Sequence, residues 1–257
     1  MNLTEADMPL GQSLFRAGDH AISLPSLSLS NEVPELILVQ LADPQFGLLE
    51  RYIEHRPKPY GWSAELAQFQ RILSLATGYV KPRPLSVIIT GDLVDSQPSR
   101  LESMIMDDGD PAYRVAQIAD LKSAISQFSN SIPTIVLPGN HDVCDAPTKL
   151  SLAAYKEAWG DDYFAFQQSG FTFLVLNTQL WVEEAKEVAE FTALQESWLE
   201  SQLERSTKQP GRLIIFQHIP FYLNRFDEEP GYFNLPLKVR HHWLPRLFHA
   251  GARHVFS

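Results

Sequence analysis

The chain has 257 residues, 44% of them hydrophobic and 20% charged, and a formal net charge of −10. That length buries a large core, as one large α/β domain or two small ones. The acidity excludes nucleic-acid binding driven by counterion release, and the absence of an apolar run of about 18 residues excludes a transmembrane helix.

The N-terminus, MNLTEADMPLGQ, carries early acids and lacks both a basic region and a continuous apolar core, so it reads as neither a signal nor a transit peptide. Residues 1–34 are taken as an N-terminal extension and 35–257 as the domain. ELILVQLA (35–42) reads as a buried strand. In SAELAQFQRILSLAT (63–77), Leu66, Phe69, Ile72 and Leu73 fall at helical spacing, with Ser63 as N-cap. LSVIIT (85–90) is a strand, YRVAQIADLKSAISQF (113–128) a second helix and PTIVL (133–137) a third strand. This alternation predicts a parallel sheet covered by helices. Between them, the Ser-, Asp- and Pro-rich stretch 91–112 reads as a long loop over one sheet edge.

Farther on, YFAFQQSGFTFLVLN (163–177) predicts a hairpin around Ser-Gly. TALQESWLESQLERS (192–206) is a helix with Leu194, Trp198, Leu199 and Leu203 along one side. GRLIIFQHIP (211–220) is a strand, LKVRHHWLPRLFHA (237–250) a helix broken or kinked at Pro245, and ARHVFS (252–257) the start of another strand. The single cysteine, Cys144, excludes an intramolecular disulfide and fits a reducing, cytoplasmic setting. Its expected role is structural.

Four predicted strands end in polar residues: Asp43, Gly91-Asp92, Gly139-Asn140-His141-Asp142 and His218. Ligands of open α/β sheets bind outside the carboxyl ends of the strands, so these groups converge. Asp43, Asp92, Asn140 and His218 offer hard oxygens and one imidazole, a set suited to Mn²⁺, Mg²⁺, Fe or Zn²⁺. Each residue alone has a plainer reading. Asp or Asn after a strand is ordinary turn chemistry, a lone histidine is often a hydrogen-bonded core residue, and Gly91 and Gly139 can serve positive φ. Asp142 is assigned to loop-stabilising hydrogen bonds. The acidic and aromatic segment FYLNRFDEEPGYF (221–233) lies just past His218 and is expected to wall the cleft, with Tyr222 and Arg225 packing on the surface or meeting a phosphate.

Taken together, Asp43, GDLVD (91–95), GNHD (139–142) and His218 resemble the calcineurin-like metallophosphoesterase superfamily, across residues 35–257. ADPQFG (42–47), WGDDYFAF (159–166), LVLN (174–177), FQHIP (216–220), YFNL (232–235) and HAG (249–251) are similar to a subgroup described as serine/threonine protein phosphatases. The resemblance implies an α/β fold in four layers, two packed β-sheets flanked by helices, with two divalent metal ions at the strand ends. It implies that Asp43 binds the first ion, Asp92 bridges both, and Asn140 and His218 bind the second. His141 would contact the phosphate and protonate the leaving alkoxide, with Asp95 as its dyad partner. The implied reaction is hydrolysis of phosphomonoesters, phosphoserine and phosphothreonine in proteins foremost, by attack of a metal-bridging hydroxide. A small phosphoester or a phosphodiester fits the same chemistry, and a non-catalytic phosphate- or metal-binding module is the reading from another class.

Two departures stand out. The superfamily has D-x-H at its first motif, whereas this chain has Asp43-Pro44-Gln45. Gln45 would ligate through a neutral amide oxygen or leave its place to water. The family's G-H-x-H turn would follow a strand resembling HVFS, so the fold is expected to be incomplete at its C-terminus and the 257-residue chain impaired.

Overall fold

In SVIIT (Ser86–Thr90), Val87 and Ile89 point to one side of the strand and Ile88 to the other, and every residue is buried. A strand apolar on both faces belongs in the middle of a layered fold. The computed structural model describes residues 14–24, 37–80, 83–98, 111–128, 132–182, 185–206 and 211–257. Its strands are β1 (Ala21–Ile22), β2 (Leu38–Leu41), β3 (Ser86–Thr90), β4 (Thr134–Leu137), β5 (Phe164–Gln168), β6 (Phe171–Val175), β7 (Leu213–Phe216) and β8 (Ala252–Phe256). Its helices are α1 (Ser63–Gly78), α2 (Pro111–Phe128), α3 (Asn140–Val143), α4 (Lys149–Trp159), α5 (Ala189–Ser206) and α6 (Leu237–His249).

The strands form two sheets. One is a parallel sheet in the order β2-β3-β4; the other runs β1-β5-β6-β7-β8, with β5 and β6 antiparallel and the remaining pairs parallel. Period-two alternation assigns each face. Ile88, Ile135 and Leu137 of the first sheet meet Phe166, Phe173, Val175 and Phe216 of the second in one core between the sheets. On the outer face of the first sheet, Val87, Ile89 and Val136 pack with Phe69 and Leu73 of α1, Leu121 and Ile125 of α2, and Tyr155 and Trp159 of α4. Leu174, Leu213 and Ile215 of the second sheet pack with Leu199 and Leu203 of α5 and Trp243 and Leu247 of α6. The result is four layers, helix–sheet–sheet–helix, as the motifs imply.

The Ser-Gly hairpin forms as expected: Ser169 (φ 52°) and Gly170 (φ 78°) both take the positive φ that a two-residue turn between twisted strands requires. Other details differ from the sequence reading. Trp62, not Ser63, caps α1; its carbonyl accepts from Leu66 N, and its indole N–H is held by Asp120 at 2.8 Å. Leu194 on α5 is 59% exposed, because Gln195 takes the inward position and closes two hydrogen bonds on the Asn177 main chain. Helix α6 runs through Pro245 as one element rather than breaking there.

Residues 14–24, to which the sequence reading assigns no element, are woven into the domain. Phe15 N donates to Thr134 O, β1 pairs with β5, and Ala17 and Ile22 are buried. Of the loop read over 91–112, positions 99–110 lie outside the described residues, as do positions 35 and 36 of the first predicted strand. Among the described residues, no helix is long and apolar enough to cross a membrane.

Candidate metal centre

Each candidate ligand sits just past the carboxyl end of a parallel strand: Asp43 after β2, Asp92 after β3, Asn140 after β4 and His218 after β7. Three come from one sheet and the fourth from the other, so the site straddles the mouth between the sheets. The backbone is bent to do this. Asp43 and Asp92 occupy the left-handed region at φ 51° and 48°, where aspartate is more tolerated than most residues. Gln45 is there too, at φ 38°, without that tolerance, a strain typical of functional loops. Its N–H donates to Asp92 O at 2.9 Å, tying the first loop to the second.

One carboxylate oxygen each of Asp43 and Asp92 and a ring nitrogen of His218 lie within 4.8 Å of one another. His218 Nδ1 is 2.8 Å from Thr90 O, so that nitrogen carries the proton and donates it to the carbonyl. Nε2 is thereby left as an acceptor. It faces Asn140 Oδ1 at 3.1 Å and Asp92 Oδ1 at 3.6 Å. Three lone-pair atoms thus converge with no donor among them, which is the chemistry of a cation site, and the hard oxygens with one imidazole fit a divalent ion. An imidazole whose other nitrogen is fixed by a carbonyl is the usual support of a histidine ligand. Burial pushes the Asp43 carboxyl up from its ordinary pKa, a rise that the neighbouring His218 opposes and Asp92 adds to.

Two glycines leave the room. A Cβ at Gly91, which has φ 92°, would overlap the His218 ring and come within 2.8 Å of Gly139 N; one at Gly139 would overlap Asp92.

GNHD forms the helical turn α3 rather than an open loop. His141 N donates to Asp92 Oδ1 at 2.9 Å, and His141 Nδ1 lies 2.6 Å from the main-chain oxygen of Asp95. The Asp95 carboxylate approaches the same nitrogen at 3.6 Å through Oδ1, which is buried and has no hydrogen-bond partner. Asp95 Oδ2 pairs with Arg51 at 3.0 Å. Burial raises the Asp95 carboxyl, opposed first by the Arg51 hydrogen bond and then by His141. Asp142 accepts from Gly139 N at 2.9 Å and from Leu93 N, the loop-stitching role expected of it; burial, reinforced by the Asp92 charge, pushes its pKa up to about 7. Cys144 is buried with the Pro98 oxygen 3.5 Å away, in keeping with a structural role.

Sequence reasoning missed Arg51, Arg114, Asp145 and Tyr232. Arg114 is buried and donates to Ser96 O, His141 O and Asp142 O. Its signal was available: Arg114 and Gln117 fall in helical phase with the buried Leu121 and Ile125 on α2, so two polar side chains point inward. Tyr232 receives a hydrogen bond from Asn140 Nδ2 at 3.2 Å and donates to Asp145 Oδ1 at 2.9 Å. Arg225 pairs with Asp227 on the surface instead of entering the site.

A family model, calcineurin-like phosphoesterase, matches residues 38–246. The serine/threonine-protein phosphatase CPPED1 of Danio rerio is 36% identical over 222 residues, covering 85% of this chain and 68% of that protein. The Homo sapiens protein of the same name is 33% identical over 220 residues, covering 84% and 66%. Among solved structures, purple acid phosphatase PPD1 from yellow lupin (Lupinus luteus) seeds has a TM-score of 0.52 at 12% identity, over 86% of this chain and 37% of that one. PhoD has a TM-score of 0.53 at 15% identity, over 92% and 53%. At such identities the two structures are similar in fold alone, and this chain spans only part of each.

Proposed function

The chain belongs to the calcineurin-like phosphoesterase family, a family of metal-dependent hydrolases, and from that premise we propose that it hydrolyses phosphomonoesters at a two-metal centre, phosphoserine and phosphothreonine of proteins being the foremost substrates. The observation that carries this reading is the convergence of His218 Nε2, Asn140 Oδ1 and Asp92 Oδ1 with no donor among them. Asp43 and the Gln45 amide would hold the first ion, Asp92 would reach both, and Asn140 and His218 would hold the second. Mn, Fe, Zn and Mg all suit such donors. When bound, the ions supply Lewis acidity toward phosphoryl oxygens and acidify water in the site. The protein substrate rests on the relatives being serine/threonine-protein phosphatases by name.

The chain's own residues supply the rest. With Nδ1–H committed to Asp95 O, His141 keeps Nε2 as the end that contacts the phosphate and, when protonated, gives its proton to the leaving alkoxide. Asp95 Oδ1, which has no hydrogen-bond partner, lies 3.6 Å from His141 Nδ1, and Arg51 pairs with the other oxygen of that carboxylate at 3.0 Å. The segment from Phe221 to Phe233 flanks the mouth through Tyr232. β8 runs parallel to β7 and brings Ser257 O to 2.9 Å from Gln40 Nε2. A cytoplasmic setting is favoured by the single, buried Cys144.

The test is Mn²⁺-dependent turnover of p-nitrophenyl phosphate, with a serine phosphopeptide and bis-p-nitrophenyl phosphate in parallel. Asp92→Asn and His141→Ala should each abolish it, and the phosphopeptide should outpace the diester. Turnover unchanged in both variants would exclude catalysis at this centre, and a preference for the diester would make it a phosphodiesterase.

A further inference from the structure

Only one end of an asparagine amide can ligate a cation. Asn140 Oδ1 faces the lone pair of His218 Nε2 at 3.1 Å, and that nitrogen in turn lies 3.6 Å from Asp92 Oδ1, so the amide oxygen meets an acceptor that has a second acceptor beside it. Among the described residues, no hydrogen-bond donor on that side favours oxygen over N–H before an ion arrives. The orientation must be held from the other side.

There the structure supplies a chain of hydrogen bonds with a fixed direction. Asn140 Nδ2 donates to the Tyr232 hydroxyl at 3.2 Å, and that hydroxyl donates to Asp145 Oδ1 at 2.9 Å. A carboxylate accepts only, so it claims the single phenolic proton and leaves Tyr232 a lone pair for Asn140. A flipped amide would put its carbonyl oxygen against a hydroxyl oxygen with no proton to give. We propose that Tyr232 is a positioning residue for Asn140, using Asp145 as its anchor to keep the amide oxygen turned to the metal position. This rests on the metal reading given above and extends it to a residue outside the ligand set.

Tyr232 is not there to fill the core. It is 66% exposed and meets Phe233 edge to face with ring centres 4.9 Å apart. Its loop, by contrast, is tightly held. Glu228 accepts from Leu223 N, Asn224 N and Arg225 N at 2.6–3.0 Å and from Asn234 Nδ2 at 2.7 Å. Asn234 Oδ1 in turn takes Gly231 N at 2.6 Å, one residue before Tyr232. From α6, the buried Arg240 donates to Leu235 O, Phe226 O and Glu228 O. A hydroxyl presented from such a base can orient a neighbour instead of following it.

The experiment compares Mn²⁺ binding to the protein and to Tyr232→Phe, counting free Mn²⁺ by electron paramagnetic resonance, with thermal unfolding in excess chelator as the folding control. Removing an outer-shell partner typically weakens metal binding about 10–100-fold, so Tyr232→Phe should lose about tenfold at one site with its chelator melting curve unmoved. In an Asn140→Ala background, with no amide left to orient, the same substitution should change binding by less than about twofold. Equal Mn²⁺ binding by the protein and Tyr232→Phe overturns the proposal, and so does a tenfold loss that persists without Asn140. A parent protein that binds no Mn²⁺ overturns the metal reading beneath it, which is a separate failure.

Discussion

His218 Nδ1 lies 2.8 Å from the main-chain oxygen of Thr90, so an imidazole leaving β7 is anchored on the last residue of β3, in the other sheet. That one bond fixes the tautomer and aims Nε2 at Asn140 and Asp92. His218→Ala removes the nitrogen and should weaken Mn²⁺ binding beyond the about 10–100-fold typical of an outer-shell change, read by calorimetric titration. Binding within a few-fold of the parent would show that His218 is only a strut between the sheets.

Gly91 sits at φ 92°, with the His218 ring against the position of any Cβ and Gly139 N 2.8 Å from it. Alanine there meets both a disfavoured backbone region and a collision. Gly91→Ala should lower stability by about 1–3 kcal/mol and displace His218. Urea unfolding measures the first effect and Mn²⁺ affinity the second; a variant normal in both contradicts the packing described.

Arg114 is buried with Ser96 O, His141 O and Asp142 O as acceptors, and burial lowers its pKa while the Asp142 charge opposes that. Arg114→Ala leaves three carbonyl oxygens short of a donor, which should cost on the order of 1–3 kcal/mol. Lysine restores the charge but not the planar fork, and should recover part of the loss. Melting curves of the two variants, read side by side, decide it.

An ion bound at 100 times its dissociation constant stabilises the folded state by about 2.7 kcal/mol. For a chain of this size, chelation should therefore lower Tm by roughly 5–10 °C. Restoring Mn²⁺ should reverse the shift in the parent but not in Asp92→Asn.

Glu228 accepts three main-chain N–H groups and the Asn234 amide, which together hold its pKa near about 2 instead of the ordinary 4.5. A depressed folded value means that its contribution to loop order is complete above about 4.5 and fades as pH falls toward about 2. The Leu223 and Arg225 amide resonances should titrate together with a midpoint well below 4.5. In Glu228→Gln that transition should vanish, and the Tyr232 ring should lose its fixed environment.

The element pattern was largely legible from sequence because it rests on local periodicity. The apolar runs of β3, β4 and β7 and the Ser169-Gly170 turn need no long-range information. Where the reading failed, a tertiary contact outweighed the local pattern: Gln195 displaced Leu194 from the inward face by bonding the Asn177 main chain, and Trp62 displaced Ser63 as cap through Asp120. The two-residue strand β1 was invisible, since so short a segment has no period and exists only by pairing with β5.

The residue types at the strand ends were set by the sequence itself: hard oxygens, one imidazole, and glycines where the chain must turn closely. Only the tertiary structure decided which atoms meet. It gave His141 Nδ1 the main-chain oxygen of Asp95 as its nearest acceptor, inserted Arg51 on the Asp95 carboxylate, and brought Tyr232 from a distant loop onto Asn140. The physical reason is that ligand identity is a property of single residues. Hydrogen-bond direction depends on donors and acceptors that chain separation keeps apart until two sheets pack.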